Sequence, residues 1–282
     1  MYKLTTLALL VSISLGALVQ GESFSTIRSA SPFLAGVPGK DCVASVLHEG
    51  TPTGKVVSLG GMDTYVSVPK KPTSGPKKVL LFFADVYGPL YPNMKLIQDF
   101  YASNGYTVLG PDYFFGDPIY PHLEDPTFNL TQWISEKVEI ANEATPKWLE
   151  VVRQNYGVNG KNVKYTAVGY CFGGPFALNL AGTDDVVAAG FGHPAFLTEE
   201  QFQNVKQPLL LTLAETDDVF PKPNSRRAED ILVENKAVYH IQTFSNTTHG
   251  FVTRGDPAIE NDRWSSDTAL RTFVEWSNRF TA

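Results

Sequence analysis

The stretch VKYTAVGYCFGGPFALNLA, residues 163–181, joins an apolar run to a run of small residues through a cysteine. Its first half has the composition of a strand buried on both faces, and its second half predicts a helix packed closely behind that strand. Cys171 stands between Gly169 and Gly173 in the spacing GxCxG. A side chain at the tip of a sharp strand-to-helix turn needs neighbours without bulk, so the spacing predicts a nucleophile elbow that carries Cys in place of Ser.

The predicted helix would favour a reactive sulfur at Cys171. Amide dipoles at a helix start stabilise a thiolate over a thiol, and the amide of Phe172 is placed to donate to a developing oxyanion. A buried structural cysteine is the alternative, because free cysteine is among the most buried residue types and GxCxG is short enough to arise by chance. Residues elsewhere in the chain decide between the two.

Strand and helix patterns alternate along most of the chain. KVVSL and MDTYVSVP flank Gly60-Gly61 and predict a β-hairpin. Six further strands are predicted at VLLFFA, TVLGPD, VKYTAVGY, VVAAGFG, QPLLLTLAE and VYHIQTF. Helices are expected at 93–104, around 133–141, from Thr145-Pro146 onward as a separate helix, and at 173–182, 197–205, 222–236 and 262–280. The alternation predicts an α/β fold with a mostly parallel sheet, helices on both faces and the hairpin at one edge.

Acidic residues and a histidine follow two later strands. QPLLLTLAE leads into Asp217 and Asp218, and VYHIQTF leads through the loop SNTT to His249. The chain order is therefore nucleophile, acid, histidine, which is the order of an α/β-hydrolase. Asp217 is the favoured acid. Asp218 competes with it or caps the next turn, and Glu215 still lies on the strand.

The remaining histidines do not predict a metal site, and no cofactor is predicted. They are His48, His122, His193 and His240. These histidines lack clustered cysteine or acidic partners at the spacing of metal ligands. His249 has an alternative interpretation as a solvent-exposed loop histidine. Its place after a late strand favours the catalytic one.

The first 21 residues have the pattern of a secretory signal peptide, with Lys3 followed by the apolar run LALLVSISLGALV. The run is too short and too interrupted for a membrane span, so we expect a secreted, extracellular protein that does not contact a membrane once the signal is removed. An uncleaved anchor is the alternative. The sequence predicts an irregular lead-in across the surface at residues 22–54 and the hydrolase domain at residues 55–282.

Export would make two sequons relevant, Asn129-Leu130-Thr131 and Asn246-Thr247-Thr248. Glycan on Asn246 would crowd His249, so we expect less occupancy there than at Asn129. Lys and Arg total 23 against 29 Asp and Glu, a formal charge of −6, which argues against nucleic acid as a partner. Cys42 and Cys171 are the two cysteines, and a disulfide between them would consume the nucleophile.

Several motifs together resemble the dienelactone hydrolase family of α/β-hydrolases, and in particular its secreted fungal-type members. They are HEGTPTGK at 48–55, ADVYGP at 84–89, GPDYFFGDP at 110–118, GYCFGG at 169–174, AETDDVFP at 214–221 and HGFVTRGD at 249–256. The resemblance runs from about Cys42 to the C-terminus.

The resemblance implies an eight-stranded sheet and a Cys-His-Asp triad, which corresponds here to Cys171, His249 and Asp217. It also implies an acidic residue after the third strand that contacts the resting cysteine. Asp85 stands at that position, where the bacterial members carry the longer Glu. The amide of Val86 would then be the second oxyanion donor.

Arg254 resembles the family's binder of a substrate carboxylate, although a surface pair with Asp256 would explain it equally well. A second arginine of the family is replaced by Phe115 or Gly116. An apolar or sugar-like ligand, or simply a packed rim, would account for an aromatic cluster of Tyr87, Tyr91, Tyr113, Phe114 and Phe115.

These residues predict a hydrolase that opens a lactone or cleaves a small carboxylic ester through an acyl-cysteine intermediate. The alternative is a non-catalytic protein that binds a ligand or glucan on the same scaffold, an interpretation motivated by Asp85 and the missing arginine.

Overall fold

A computed structural model describes residues 31–39, 43–71 and 75–282 of the chain. The predicted signal peptide at 1–21 and Cys42 lie outside the described residues, so the signal and a bridge from Cys42 remain predictions. No helix in the described part of the chain is long and apolar enough to span a bilayer.

Eight strands form one sheet in the order β1-β2-β4-β3-β5-β6-β7-β8. The strands are β1 Lys55–Leu59, β2 Met62–Ser67, β3 Lys77–Phe83, β4 Thr107–Pro111, β5 Val163–Tyr170, β6 Ala188–Gly192, β7 Leu209–Thr216 and β8 Tyr239–Thr248. β2 runs antiparallel to its neighbours β1 and β4, and β3 to β8 run parallel to one another. This is the α/β-hydrolase arrangement, so the predicted fold class is confirmed, including the edge hairpin.

Seven α-helices cover the two faces of the sheet in the described ranges. They are α1 Pro92–Ser103, α2 Leu130–Tyr156, α3 Gly174–Ala181, α4 Glu199–Gln203, α5 Lys222–Glu234, α6 Phe251–Arg254 and α7 Glu260–Thr281. Tyr101 of α1 and Phe273 of α7 share one apolar cluster, whereas Trp148 of α2, Leu178 of α3 and Ile231 of α5 share the other. The two clusters bury both faces of the central strands, which is why those strands are apolar throughout.

The long helix α2 corrects one prediction. It continues without a break from Leu130 to Tyr156 with Pro146 inside it, so the expectation of a separate helix from Thr145-Pro146 is wrong. An interior proline removes one main-chain hydrogen bond and costs about 3 kcal/mol. Burial of one face on both sides of the proline offsets that cost, through Trp133, Ile134, Ala141, Trp148, Leu149 and Val152.

The end of β8 corrects a second prediction, because the stretch SNTT belongs to the strand and is not a loop. Ala214 of β7 pairs with Phe244, and Thr216 pairs with Thr248, so one residue of β7 lies opposite three of β8. Asn246, with a positive φ of 53°, lies in this irregular part. After the irregularity the two strands end side by side.

The lead-in does not lie simply across the surface, as the sequence suggested. Leu34, Ala35 and Val43 are buried, and Phe33 forms a bridge with Thr198. Main-chain hydrogen bonds join Leu34 and Ala35 to the carbonyl of Leu197. The described part of the lead-in, 31–39 and 43–54, is irregular, but some of its residues belong to the core.

Candidate active site

Cys171 follows β5 directly and begins a short 3₁₀ turn, Cys171–Gly173, that leads into α3. The residue has a positive φ of 48°, carries a free thiol and is fully buried. A Cβ atom on Gly169 would lie 2.1 Å from the carbonyl oxygen of Gly173, and one on Gly173 would lie 2.1 Å from the carbonyl oxygen of Phe83. The backbone therefore has room for the cysteine only because both flanking positions lack a side chain.

Asp217 and His249 come together because of the register of β7 and β8. Thr216 pairs with Thr248, so the next residue of each strand emerges at the same edge of the sheet. His249 Nδ1 lies 3.0 Å from both carboxylate oxygens of Asp217. Their side chains are 5% and 3% exposed respectively. Of the three candidate acids, Asp217 contacts the histidine, whereas Asp218 and Glu215 are exposed.

The carboxylate of Asp217 is itself held in place by the chain that follows it. Its Oδ1 accepts hydrogen bonds from the amides of Val219 at 2.9 Å and Phe220 at 3.1 Å. These bonds satisfy a buried carboxylate and fix its orientation toward the imidazole. Asp217 is therefore equipped to hold His249 in one orientation.

The charge of His249 is set by opposing influences. Burial alone would lower the pKa of His249, but the neighbouring Cys171 and the hydrogen bond that the imidazole donates to Asp217 outweigh it and raise that pKa to about 9. The Nε2 atom is buried and has no hydrogen-bond partner among the described residues. Because Cys171 acts on the pKa of His249, its thiol lies close to the imidazole, where a proton can pass between the two groups.

The amides of Val86 and Phe172 have no acceptor of their own. Val86 lies in the turn after β3, and its amide donates no hydrogen bond within the described part of the chain. Phe172 is the second residue of the 3₁₀ turn, where amides have no acceptor within the helix. Both amides are therefore candidate donors to an oxyanion.

Asp85 is bonded to the second half of the site and not to Cys171. Its Oδ1 accepts from the amide of Tyr87 at 2.9 Å, and its Oδ2 accepts from Thr253 Oγ1 and Arg254 Nη1, both at 2.8 Å. The contact with the resting cysteine that the resemblance implies is therefore not seen among these residues. The Arg254 side chain is 2% exposed, so it forms a buried pair with Asp85 and not the surface pair with Asp256.

The predicted aromatic cluster divides into two groups. The rings of Tyr113 and Phe114 pack on Phe172, with centroids 5.5 and 5.0 Å away, and the Tyr113 hydroxyl donates to the carbonyl of Ala84. In the second group, the ring centroid of Tyr87 lies 4.5 Å from that of Tyr91 and 5.6 Å from the Arg254 guanidinium. In contrast, Phe115 is 53% exposed.

His193 is the site residue that sequence reasoning missed. It follows β6 directly, is fully buried and places its ring 5.2 Å from that of His249. His249 is 56 positions away from His193 in the sequence, and no motif of fixed spacing indicates their contact. The position after a parallel strand beside β5 was the available signal, because such positions gather at one sheet edge.

The two sequon asparagines are both exposed. Asn129 caps α2, where its side-chain oxygen accepts from the amide of Gln132. Asn246 is exposed in the irregular part of β8.

In the described ranges, no group of three or more His, Cys, Asp or Glu side chains could hold a metal ion.

Comparison with known proteins identifies a matching family and several relatives. Residues 62–281 match the model of the dienelactone hydrolase family. A protein named Dienlactone hydrolase 1 from Gibberella moniliformis is 34% identical over 251 residues, which cover 87% of this chain and 95% of that protein. The human carboxymethylenebutenolidase homolog is 30% identical over 236 residues, which cover 80% of this chain and 91% of that protein.

Solved structures agree at the level of the fold. The crystal structure of dienelactone hydrolase from Anabaena variabilis matches with a TM-score of 0.57 at 16% identity, covering 83% of this chain and all (100%) of that one. Identity this low shows a common fold alone.

Proposed function

Because this chain belongs to the dienelactone hydrolase family, a family of hydrolases, we propose that it opens lactones or cleaves small carboxylic esters through an acyl intermediate on Cys171. The observation that carries the proposal is the buried Asp217–His249 pair, which lies at the same sheet edge as a cysteine with positive φ. Serine- and cysteine-dependent acyl transfer requires this combination of nucleophile, base and orienting acid.

Before the first half of the reaction, the Cys171 thiol has passed its proton to His249 Nε2, in keeping with the raised pKa of that imidazole. The thiolate then attacks the carbonyl carbon of the substrate. The carbonyl oxygen becomes an oxyanion, which the amides of Val86 and Phe172 stabilise. Asp217 keeps the imidazolium in position at its Nδ1. When the intermediate collapses, the acyl C–O bond breaks and His249 returns its proton to the departing oxygen.

In the second half, water hydrolyses the thioester. His249 takes a proton from the water, the resulting hydroxide attacks the acyl carbon, and the sulfur leaves and regains a proton from His249. An ester releases an alcohol and then an acid. A lactone keeps the alcohol in the same molecule, so one hydroxy acid is released.

The buried pair of Asp85 and Arg254 bears on the substrate class. An anionic substrate that used Arg254 would have to compete with Asp85, and separating a buried ion pair is costly because one charge is left without a partner. A neutral ester or lactone avoids that cost. We therefore favour neutral substrates over dicarboxylates.

Turnover of a small aryl ester and of a neutral enol lactone tests the function. Cys171→Ala should abolish turnover while the circular dichroism spectrum stays unchanged. Asp217→Asn should lower kcat by about a thousandfold or more, as expected for loss of the acid that orients the base. Asp218→Asn is the matched control at the adjacent exposed carboxylate and should stay within about twofold of wild type. Full turnover by Cys171→Ala would contradict the proposal.

The pH dependence of thiol alkylation separates the enzyme from the ligand-binding alternative. A thiolate held by an imidazolium should react with iodoacetamide well below the pH of an ordinary thiol, which titrates at about 8.5. An unreactive thiol together with absent turnover would favour a binding protein.

We also propose that the protein is exported and carries glycan, mainly on Asn129. The support is the signal-peptide pattern together with the exposure of Asn129 at the start of α2. Peptide mapping of protein secreted by a eukaryotic host tests both points. Higher occupancy at Asn246 than at Asn129 would contradict the expected crowding near His249.

A further inference from the structure

His193 is held rigidly beside the candidate triad by its own backbone. Its amide donates to the carbonyl of Thr212 on β7 at 3.0 Å, and two residues later the amide of Ala195 donates to the carbonyl of Cys171, also at 3.0 Å. The segment after β6 is thus tied to both the nucleophile turn and the neighbouring strand. A side chain on such a segment has a fixed position relative to the nucleophile.

The ring of His193 packs against the imidazole of His249. The centroids are 5.2 Å apart and the planes meet at 71°, which is an edge-to-face contact. His249 is otherwise held by Asp217 at one nitrogen only. The soft motion of the ring is rotation about the Cβ–Cγ bond of His249, and the packed ring of His193 opposes that rotation in addition to Asp217.

The surroundings of His193 favour its uncharged form. Burial, followed by the charges of His249 and Arg254, holds the pKa of His193 well below its usual value. Tyr170 and Phe251 pack on the ring at 5.8 and 5.9 Å. The Thr253 hydroxyl lies 3.5 Å from His193 Nε2 and donates to Asp85 Oδ2 at 2.8 Å, so Asp85 is one hydrogen bond further away. Asp217 and the Cys171 thiol are the other titratable groups at this sheet edge.

We propose that His193 is a positioning residue, whose neutral ring holds the His249 imidazole with its Nε2 directed toward Cys171 and favours the protonated form of that imidazole. The inference rests on the proposed catalytic role of His249. A neutral aromatic ring attracts an adjacent cationic one, so the contact strengthens when His249 takes the thiol proton. One histidine of the pair then exchanges protons, and the other stays neutral throughout the cycle.

Substitution at residue 193 tests the ring contact. His193→Ala removes the ring, and His193→Phe keeps an aromatic face without nitrogen atoms. We expect His193→Ala to lower kcat for a neutral aryl ester at least tenfold with KM within about twofold, and to move the midpoint of Cys171 alkylation by iodoacetamide to higher pH. His193→Phe should recover most of the rate and the wild-type midpoint. The control is His240→Phe, since His240 also stacks on an aromatic ring, that of Trp276, at 6.2 Å; it should change neither.

The outcomes separate this inference from the proposed function. A folded His193→Ala with the wild-type alkylation profile would overturn the role of His193 and leave the triad intact. Equal losses in the Ala and Phe variants would overturn the ring-contact mechanism. If His193→Ala does not fold, the test rests on His193→Phe. A folded His193→Phe protein that loses more than about tenfold in kcat would contradict the proposal. A wild-type thiol that is inert at every pH below about 8.5, together with absent ester turnover, would overturn the proposed function and this inference together.

Discussion

The charge on His249 links the candidate chemistry to the stability of the fold. Its pKa is raised to about 9 in the folded protein, against roughly 6.5 in an unfolded chain. A group with a raised pKa binds its proton more tightly when folded, so protonation of His249 stabilises the folded state. In the proposed mechanism, the same proton passes to the leaving oxygen. Stability and competence for acyl transfer should therefore decline together in alkali.

The unfolding free energy measures this charge. We expect the contribution of His249 to be complete below pH 6.5 and to be lost as the pH rises toward about 9. Urea unfolding of wild type and His249→Asn across this range gives the difference, which should shrink with rising pH. Asn cannot titrate and keeps a polar group beside Asp217, so it is a suitable reference. A difference that stays constant with pH would contradict a raised pKa.

At the level of elements, the turn between β5 and α3 depends on glycine for steric reasons. A Cβ atom at residue 173 would lie 2.1 Å from the carbonyl oxygen of Phe83 and 2.8 Å from that of Ala84. Those oxygens belong to the last residue of β3 and the residue after it, which lead directly to Asp85 and Val86. Any shift that relieves the clash therefore separates the nucleophile from one of its candidate oxyanion donors.

Gly173→Ala should consequently destabilise the fold by about 2–3 kcal/mol, the cost of forcing extra volume into packed structure, and should remove ester turnover. Gly160→Ala is the matched control, because a Cβ there meets nothing within 4 Å. Thermal or urea unfolding measures the first effect and an aryl ester assay the second. A Gly173→Ala protein as stable and active as Gly160→Ala would show that the turn is not constrained in this way.

The helix α2 supports a prediction in the opposite direction. Pro146 lies inside the helix, where its ring and missing amide cost about 3 kcal/mol, and alanine would restore the hydrogen bond. Alanine also raises the conformational entropy of the unfolded chain, which reduces the gain in stability by up to about 1 kcal/mol. Pro146→Ala should therefore stabilise the protein by about 2 kcal/mol in urea unfolding. Pro92→Ala, at the first position of α1, should give no gain, because proline is tolerated there.

Local sterics explain what could be predicted from the sequence. The GxCxG spacing predicts the turn because its requirements involve residues two positions apart. The order Cys171, Asp217, His249 follows strand ends that meet at one edge in any parallel sheet. In contrast, the contact between His193 and His249 depends on how two distant strand ends pack, and the continuation of α2 through Pro146 depends on burial that only the assembled sheet supplies. Propensity alone could not weigh that burial against a proline.

At the scale of the whole molecule, the lead-in joins regions on either side of the candidate site. The Gly36 amide donates to the carbonyl of Val219, near Asp217. The carbonyl of Val43 accepts from the hydroxyl of Tyr87, and the Val46 amide donates to the carbonyl of Arg254. The match to the family begins at residue 62, so these contacts come from a part of the chain outside the matched range. We infer that the lead-in helps to hold the sheet edge at which the candidate residues meet.

The lead-in should therefore unfold together with the rest of the protein. Leu34 is 4% exposed, whereas the adjacent Phe33 is 50% exposed. Truncating a buried leucine costs about 2–5 kcal/mol, so Leu34→Ala should lower the free energy of the single urea transition by an amount in that range. Phe33→Ala is the control, and it should cost less than about 1 kcal/mol because half of the ring already contacts water. A Leu34→Ala protein with an unchanged main transition would mean that the lead-in is an appendage whose burial does not contribute to the domain.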